Sequence, residues 1–187
     1  MNIISKGDFE LLLIRAEEMV KAEPNSYLGY WWRGRALSFQ GRYDEAVKAF
    51  YDSVKHSNTD KEESMIIACI ANLFNIKKDY CMALEYSNIA LELDPDNPTA
   101  ILSKGVALIA TGMKREASEH ISLNWGKLVD GYQRAKGYAL TGQKSKMMDA
   151  LKDDLAKNPH HRIAVYHDPE FRPYLRDPSL RSILSNS

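Results

Sequence analysis

The chain has little cysteine, no surplus of either charge and no long apolar run. Its two cysteines, Cys69 and Cys81, lie twelve residues apart without a Cys-x-x-Cys pattern, which argues against a disulfide framework and against a cysteine zinc site. Both are read as small apolar side chains that a helical core would bury. Lys plus Arg and Asp plus Glu each number 25, so the formal charge is zero. A dedicated nucleic-acid binder needs a clear basic excess, so no nucleic-acid partner is expected. The apolar stretch near the N-terminus is short and interrupted by Arg15, Glu17 and Glu18. Neither a signal peptide nor membrane insertion is expected, and the default compartment is cytoplasmic.

Catalytic and metal chemistry are equally poorly supplied. His160, His161 and His167 sit near Asp168, but no His-Glu-x-x-His pattern occurs, and adjacency is expected to send the rings of His160 and His161 to different faces. The pairs Glu17-Glu18, Glu62-Glu63 and Asp153-Asp154 are sequence neighbours that do not face each other on a helix, and they are read as solvated surface. The glycines do not form a phosphate-cradling loop. No catalytic residue, metal or cofactor is assigned, and the expectation is a protein that is not an enzyme.

What is present is helical periodicity, with no sustained strand-like alternation. Breakers at Pro24-Asn25, Gly41, Asn58-Thr59, Asp94 to Pro98, Gly112, Gly142 and Asn158-Pro159 separate segments the length of three- to four-turn helices. Small residues recur across them: Ala46, Ala83 and Ala117 are 37 and then 34 residues apart. Such a period marks stacked helical hairpins rather than a single globular core. The units are residues 27–60, 64–97, 98–127 and 128–161, within a repeat region of 26–161. The fourth departs most, with Met147 where the alanine is expected and about a turn lost near Trp125-Gly126. Residues 1–25 are read as an N-terminal capping half-unit and 162–187 as C-terminal capping short helices. In the first unit, Gly34 sits mid-helix despite a cost of about 1 kcal/mol, which implies a close helix crossing, with Ala46 opposite.

These residues resemble the tetratricopeptide repeat. The second unit matches through Phe74, Tyr80, Ala83, Ala90 and Pro95, and the first through Tyr30, Gly34, Gly41, Tyr43, Ala46 and Phe50. The first departs at Arg33 and Asn58; the third keeps Gly105, Gly112 and Ala117 but departs at Lys104, Lys114 and Asn124. The resemblance spans residues 7–161 and implies an all-α, right-handed α-solenoid. The tail is similar to the segment that follows the last repeat in many bacterial proteins of this superfamily. Asp168-Pro169 and Asp177-Pro178 each read as an N-cap followed by a helix-starting proline, and the tail is expected to cover the open edge of the last repeat.

The resemblance also implies that the first helix of each unit lines a concave groove. The residues so placed are Leu28, Trp31, Trp32, Arg35 and Phe39, then Met65 and Asn72, then Leu102 and Val106, then Tyr132, Gln133 and Lys136. A chaperone C-terminal carboxylate is not the expected partner: the clamp positions hold Trp31, Arg35, Cys69, Thr99 and Ser103, and a frame one unit later is no more cationic. The apolar strip, with Trp, Tyr and Arg as anchors, suits a peptide segment of another protein. The alternative is a self-associating array that buries this face in a homodimer. Trp31 and Trp32, about 100° apart on the helix, are expected to differ in exposure.

Overall fold

The computed structural model describes residues 7–185; residues 1–6 of the capping half-unit and 186–187 of the tail lie outside them. Among the described residues eleven α-helices follow one another: α1 Phe9–Ala22, α2 Tyr27–Phe39, α3 Tyr43–Val54, α4 Asp60–Lys77, α5 Tyr80–Leu93, α6 Pro98–Ala110, α7 Lys114–Leu123, α8 Gly131–Leu140, α9 Lys144–Lys157, α10 His161–His167 and α11 Pro178–Ser185. Short 3-10 stretches occupy Trp125–Lys127 and Pro169–Tyr174. No strand occurs among the described residues.

The starts follow from side-chain caps. Asp8, Ser26, Thr59, Asp79, Asn97 and Asp130 each accept a hydrogen bond from a backbone N–H in the first turn of the helix that follows. Thr59 begins α4 at Asp60, earlier than the expected Ser64: its Oγ1 accepts from Glu62 N (3.2 Å), while Glu62 Oε2 accepts from Asn58 N (2.8 Å). That exchange resembles a capping box and turns the anticipated breaker into a helix start.

The hairpins α2/α3, α4/α5, α6/α7 and α8/α9 pack side by side, with α1 against α2, α4 against α6 and α6 against α8. Gly41, Gly112 and Gly142 take positive φ at three of the hairpin bends, and Lys78 takes it (66°) at the fourth. A side chain there is strained by about 1 kcal/mol. The small-residue crossings are as tight as the sequence implied, although with a different partner. A Cβ on Gly34 would meet the Phe50 ring at 2.7 Å, so Phe50 sets the spacing rather than Ala46. At the equivalent Gly105 the neighbours are Leu140 and Ile121, at 3.0 and 3.1 Å.

Buried polar bonds tie the units together where water is excluded. Asn97 Nδ2 donates to Ser64 Oγ (2.8 Å), which donates to the Ala90 carbonyl (2.7 Å). Asn75 Nδ2 donates to the Ser103 carbonyl at 2.9 Å. Each bond satisfies groups that would cost about 1–3 kcal/mol if left unpaired. Cys81 departs from expectation: it is exposed in the first turn of α5, while Cys69 is half-buried.

The tail does more than cover an edge. Leu180 and Leu184 of α11 join Met147, Met148, Leu151 and Leu155 of α9 in one apolar cluster with Phe171 and Val165. Residues 161–174 then run on across the inner helices, and the His167 ring meets Phe39 (5.3 Å) and Phe9 (6.1 Å) edge-on. The first helix, α1, therefore touches α10.

Two stability outcomes follow. Gly34→Ala should lose about 1–2 kcal/mol in urea unfolding, because the Phe50 clash outweighs the helix-propensity gain, and should cost less in a Phe50→Leu background. Lys78→Gly should instead raise stability by about 0.5–1 kcal/mol by relieving the left-handed bend.

Candidate functional site

Inner residues of α2, α4, α6 and α8 converge on a cavity of about 340 Å³. Trp31, Arg35, Phe39, Met65, Asn72, Leu102, Tyr132, Gln133 and Lys136 all line it. Leu28 is instead an exposed side chain of the first turn of α2. Val106 lines a second cavity, described below, and Trp32 lies outside both linings. The two tryptophans do not divide into one buried and one exposed. Both are half-buried, and their rings meet edge-on at 4.7 Å. Cys81, on α5, has no place in either cavity.

The cavity wall also contains His161, Ala164, His167 and Asp168, contributed by the tail. The trough is thus crossed by a strap, residues 168–174, that separates the first cavity from a larger one of about 520 Å³.

Lys136 fixes the strap in place. Its Nζ lies 3.1 Å from Asp168 Oδ2 and 3.0 Å from Glu170 Oε1. Tyr132 donates its phenolic hydrogen to the same Asp168 oxygen at 2.9 Å. Asp168 therefore does not cap the stretch that follows it: its carboxylate is drawn to Lys136 and Tyr132, whereas Asp177 does accept from Ser179 N at 2.9 Å. Arg172 secures the far side, donating to the Ile76 carbonyl at 3.2 Å. Phe171 is fully buried, with its ring 5.7 Å from that of Tyr132.

The electrostatics follow from this burial. Desolvation alone would lower the Lys136 pKa, but Asp168 and Glu170 outweigh it and hold the ammonium protonated well above its usual range. Burial pushes the Glu170 carboxyl up; Lys136 offsets part of that, and the neighbouring Asp168 adds to it. Burial and the Asp168 carboxylate push the Tyr132 phenol well above its ordinary value.

On the other side of the strap's base, Asp154 contradicts the solvated reading of the Asp153-Asp154 pair. It is buried, accepts from Asn158 Nδ2 at 3.1 Å and lies 2.6 Å from His161 Nδ1. The His160 and His161 rings, expected on different faces, sit 4.4 Å apart. Among the described residues no group of three or more His, Cys, Asp or Glu side chains is placed to hold a metal. No helix of the described residues is long and apolar enough to cross a membrane.

The open polarity of the smaller cavity is specific. Trp31 Nε1 and Asn72 Oδ1 are buried without a well-formed hydrogen bond, the Cys69 thiol lying beside Trp31 and Arg35. Arg35 has its guanidinium 5.4 Å from the Trp31 ring and 5.2 Å from the Phe39 ring, and no carboxylate partner among the described residues.

Helical hairpins stacked side by side around an inner face define an all-α solenoid of the tetratricopeptide type, and known structures share it. YrrB, described as a TPR protein with an unusual peptide-binding site, aligns with a TM-score of 0.50 at 18% identity, over 88% of this chain and 85% of its own. MamA aligns with a TM-score of 0.52, also at 18% identity, over 85% of this chain and 87% of its own. Among curated proteins, the Photosystem I assembly protein Ycf3 of Cyanophora paradoxa is 23% identical over 142 residues, covering 68% of this chain and 82% of that one. No family model matches the chain.

The raised Glu170 pKa has a readable sign. Its contribution to stability is fully present below the ordinary glutamate pKa and is lost as pH rises from there to the folded value. Glu170→Gln removes this loss. The difference in Tm between variant and parent should therefore become more positive as pH rises from about 4.5 to 7, measured by circular dichroism; a difference that falls would contradict the assignment.

Proposed function

We propose that this protein is a non-catalytic interaction module of the adaptor or assembly kind, which takes a short segment of a partner protein into the inner cavity bounded by α2, α4 and the strap. The observation that carries this reading is the set of unmet groups there: the Trp31 Nε1 donor, the Asn72 Oδ1 acceptor and the caged Arg35 guanidinium. Buried polar atoms are normally paired, so unpaired ones on one wall of a cavity mark where a ligand supplies partners. Arg35 asks for a carboxylate, and the surrounding Trp31, Phe39, Met65 and Leu102 ask for apolar side chains. The preferred segment is therefore apolar with one acidic residue.

The strap limits its length. An extended chain cannot run the full inner face while residues 168–174 cross it, so the segment enters from the N-terminal side and stops at the Lys136 cluster. The likeness to YrrB, whose description names a peptide-binding site, and to an assembly protein supports this reading. A surface of this kind holds a segment with affinity of order micromolar, about 8 kcal/mol.

Selection from a displayed peptide library, followed by fluorescence polarisation, tests the proposal. Enriched peptides should carry an acidic residue among apolar ones. Arg35→Glu should weaken them about tenfold or more and Asn72→Ala by a smaller factor, with the helical circular dichroism signal unchanged. Peptides that bind both variants as well as the parent protein would overturn the assignment. Light scattering separates the homodimer alternative, which requires a mass that rises with concentration.

A further inference from the structure

The larger cavity, beyond the strap, is a separate compartment with chemistry of its own. We propose that it binds a small molecule bearing a primary ammonium group on an apolar body. The proposal is independent of the peptide reading, since the two compartments share neither Arg35 nor Asn72.

The volume, about 520 Å³, is in the range of small-molecule sites. Val106, Ile109, Ala139, Leu140, Pro169 and Tyr174 form an apolar wall. Into this lining come two buried polar side chains, Asn75 from α4, fully buried, and Glu170 from the strap, 3% exposed. Each has one end already engaged. Asn75 Nδ2 donates to the Ser103 carbonyl, and Glu170 Oε1 meets Lys136. The other ends, Asn75 Oδ1 and Glu170 Oε2, are buried without a donor from another residue, although the Glu170 carboxylate also takes a hydrogen bond from its own backbone N–H. Both are acceptors, so the missing group is a donor.

Charge specifies which donor. The buried cluster holds one ammonium, Lys136, against two carboxylates, Asp168 and Glu170. A second ammonium balances it, and a cation offers more hydrogens to unpaired acceptors than a hydroxyl does. Two further cations line the cavity, Lys114 and Arg172, but both are exposed, and solvent screens them. Arg172 is also engaged with the Ile76 carbonyl. They disfavour a ligand with a second positive charge at its far end and accommodate one ending in a carboxylate. A monoammonium fits and a polyamine does not.

The test uses the intact protein and four six-carbon probes: hexylamine, hexanol, hexanoate and 6-aminohexanoate, titrated by NMR chemical-shift perturbation or calorimetry. Hexylamine and 6-aminohexanoate should bind at millimolar concentrations or below, about tenfold tighter than hexanol, and hexanoate should not bind. Glu170→Gln should remove about that tenfold advantage of the amines over hexanol, measured as the ratio of the two affinities in the variant. Ala110→Trp, at an exposed residue on the cavity mouth, should abolish binding of every probe without touching the Lys136 cluster. Equal binding of hexanoate and hexylamine would overturn the proposal. So would hexylamine binding that survives Ala110→Trp, or no binding by either amine. Should Glu170→Gln fail to fold, the probe series and the mouth variant decide alone.

Discussion

One buried ammonium governs the shape of the functional face. Lys136 projects from α8 into a region where water is excluded, and an unpaired charge there would cost several kcal/mol. Asp168 and Glu170 supply the counter-charge, and to do so the chain must bring residues 168–174 back over the inner helices. Phe171 then packs with apolar residues of α8 and α9, and Arg172 reaches α4. An aliphatic side chain at position 136 would remove the electrostatic reason for that route. The division of the inner face into two compartments is thus a consequence of one lysine.

The repeat plan was legible in the sequence because it is written in local chemistry. Glycines at the bends, side-chain caps at the starts and small residues at the crossings each act within a few positions of one another. Where the reading slipped, a competing local or tertiary interaction won. Thr59 and Glu62 made a helix start out of an apparent breaker. Cys81 falls in an exposed first turn, and Asp154 is buried because Asn158, at the end of its own helix, and His161, of the following one, close on it.

The inner face was legible only in part. Trp31, Arg35, Asn72 and Lys136 fall on it at the positions that the tetratricopeptide resemblance implied. The strap is different. Asp168-Pro169 carries a valid local signal for a helix cap, but Lys136, 32 positions earlier, outcompetes it for the carboxylate. The sequence held one clue. A lysine in an otherwise apolar inward stripe demands an acidic partner, and the acidic residues of the tail were available. The fold alone assigns no ligand; the unmet atoms on the two walls give each compartment its own chemistry.

The contact of His167 with Phe9 and Phe39 has a further consequence. A linear stack of hairpins is elastic: each unit touches only its neighbours, so the array can fray from either end and flex along its pitch. Tying α10 to α1 and α2 bridges the spring from its first unit to its tail. Loss of one end then loosens the other, local opening becomes costly, and the contacts that complete the native state span nearly the whole chain, which slows the final step of folding.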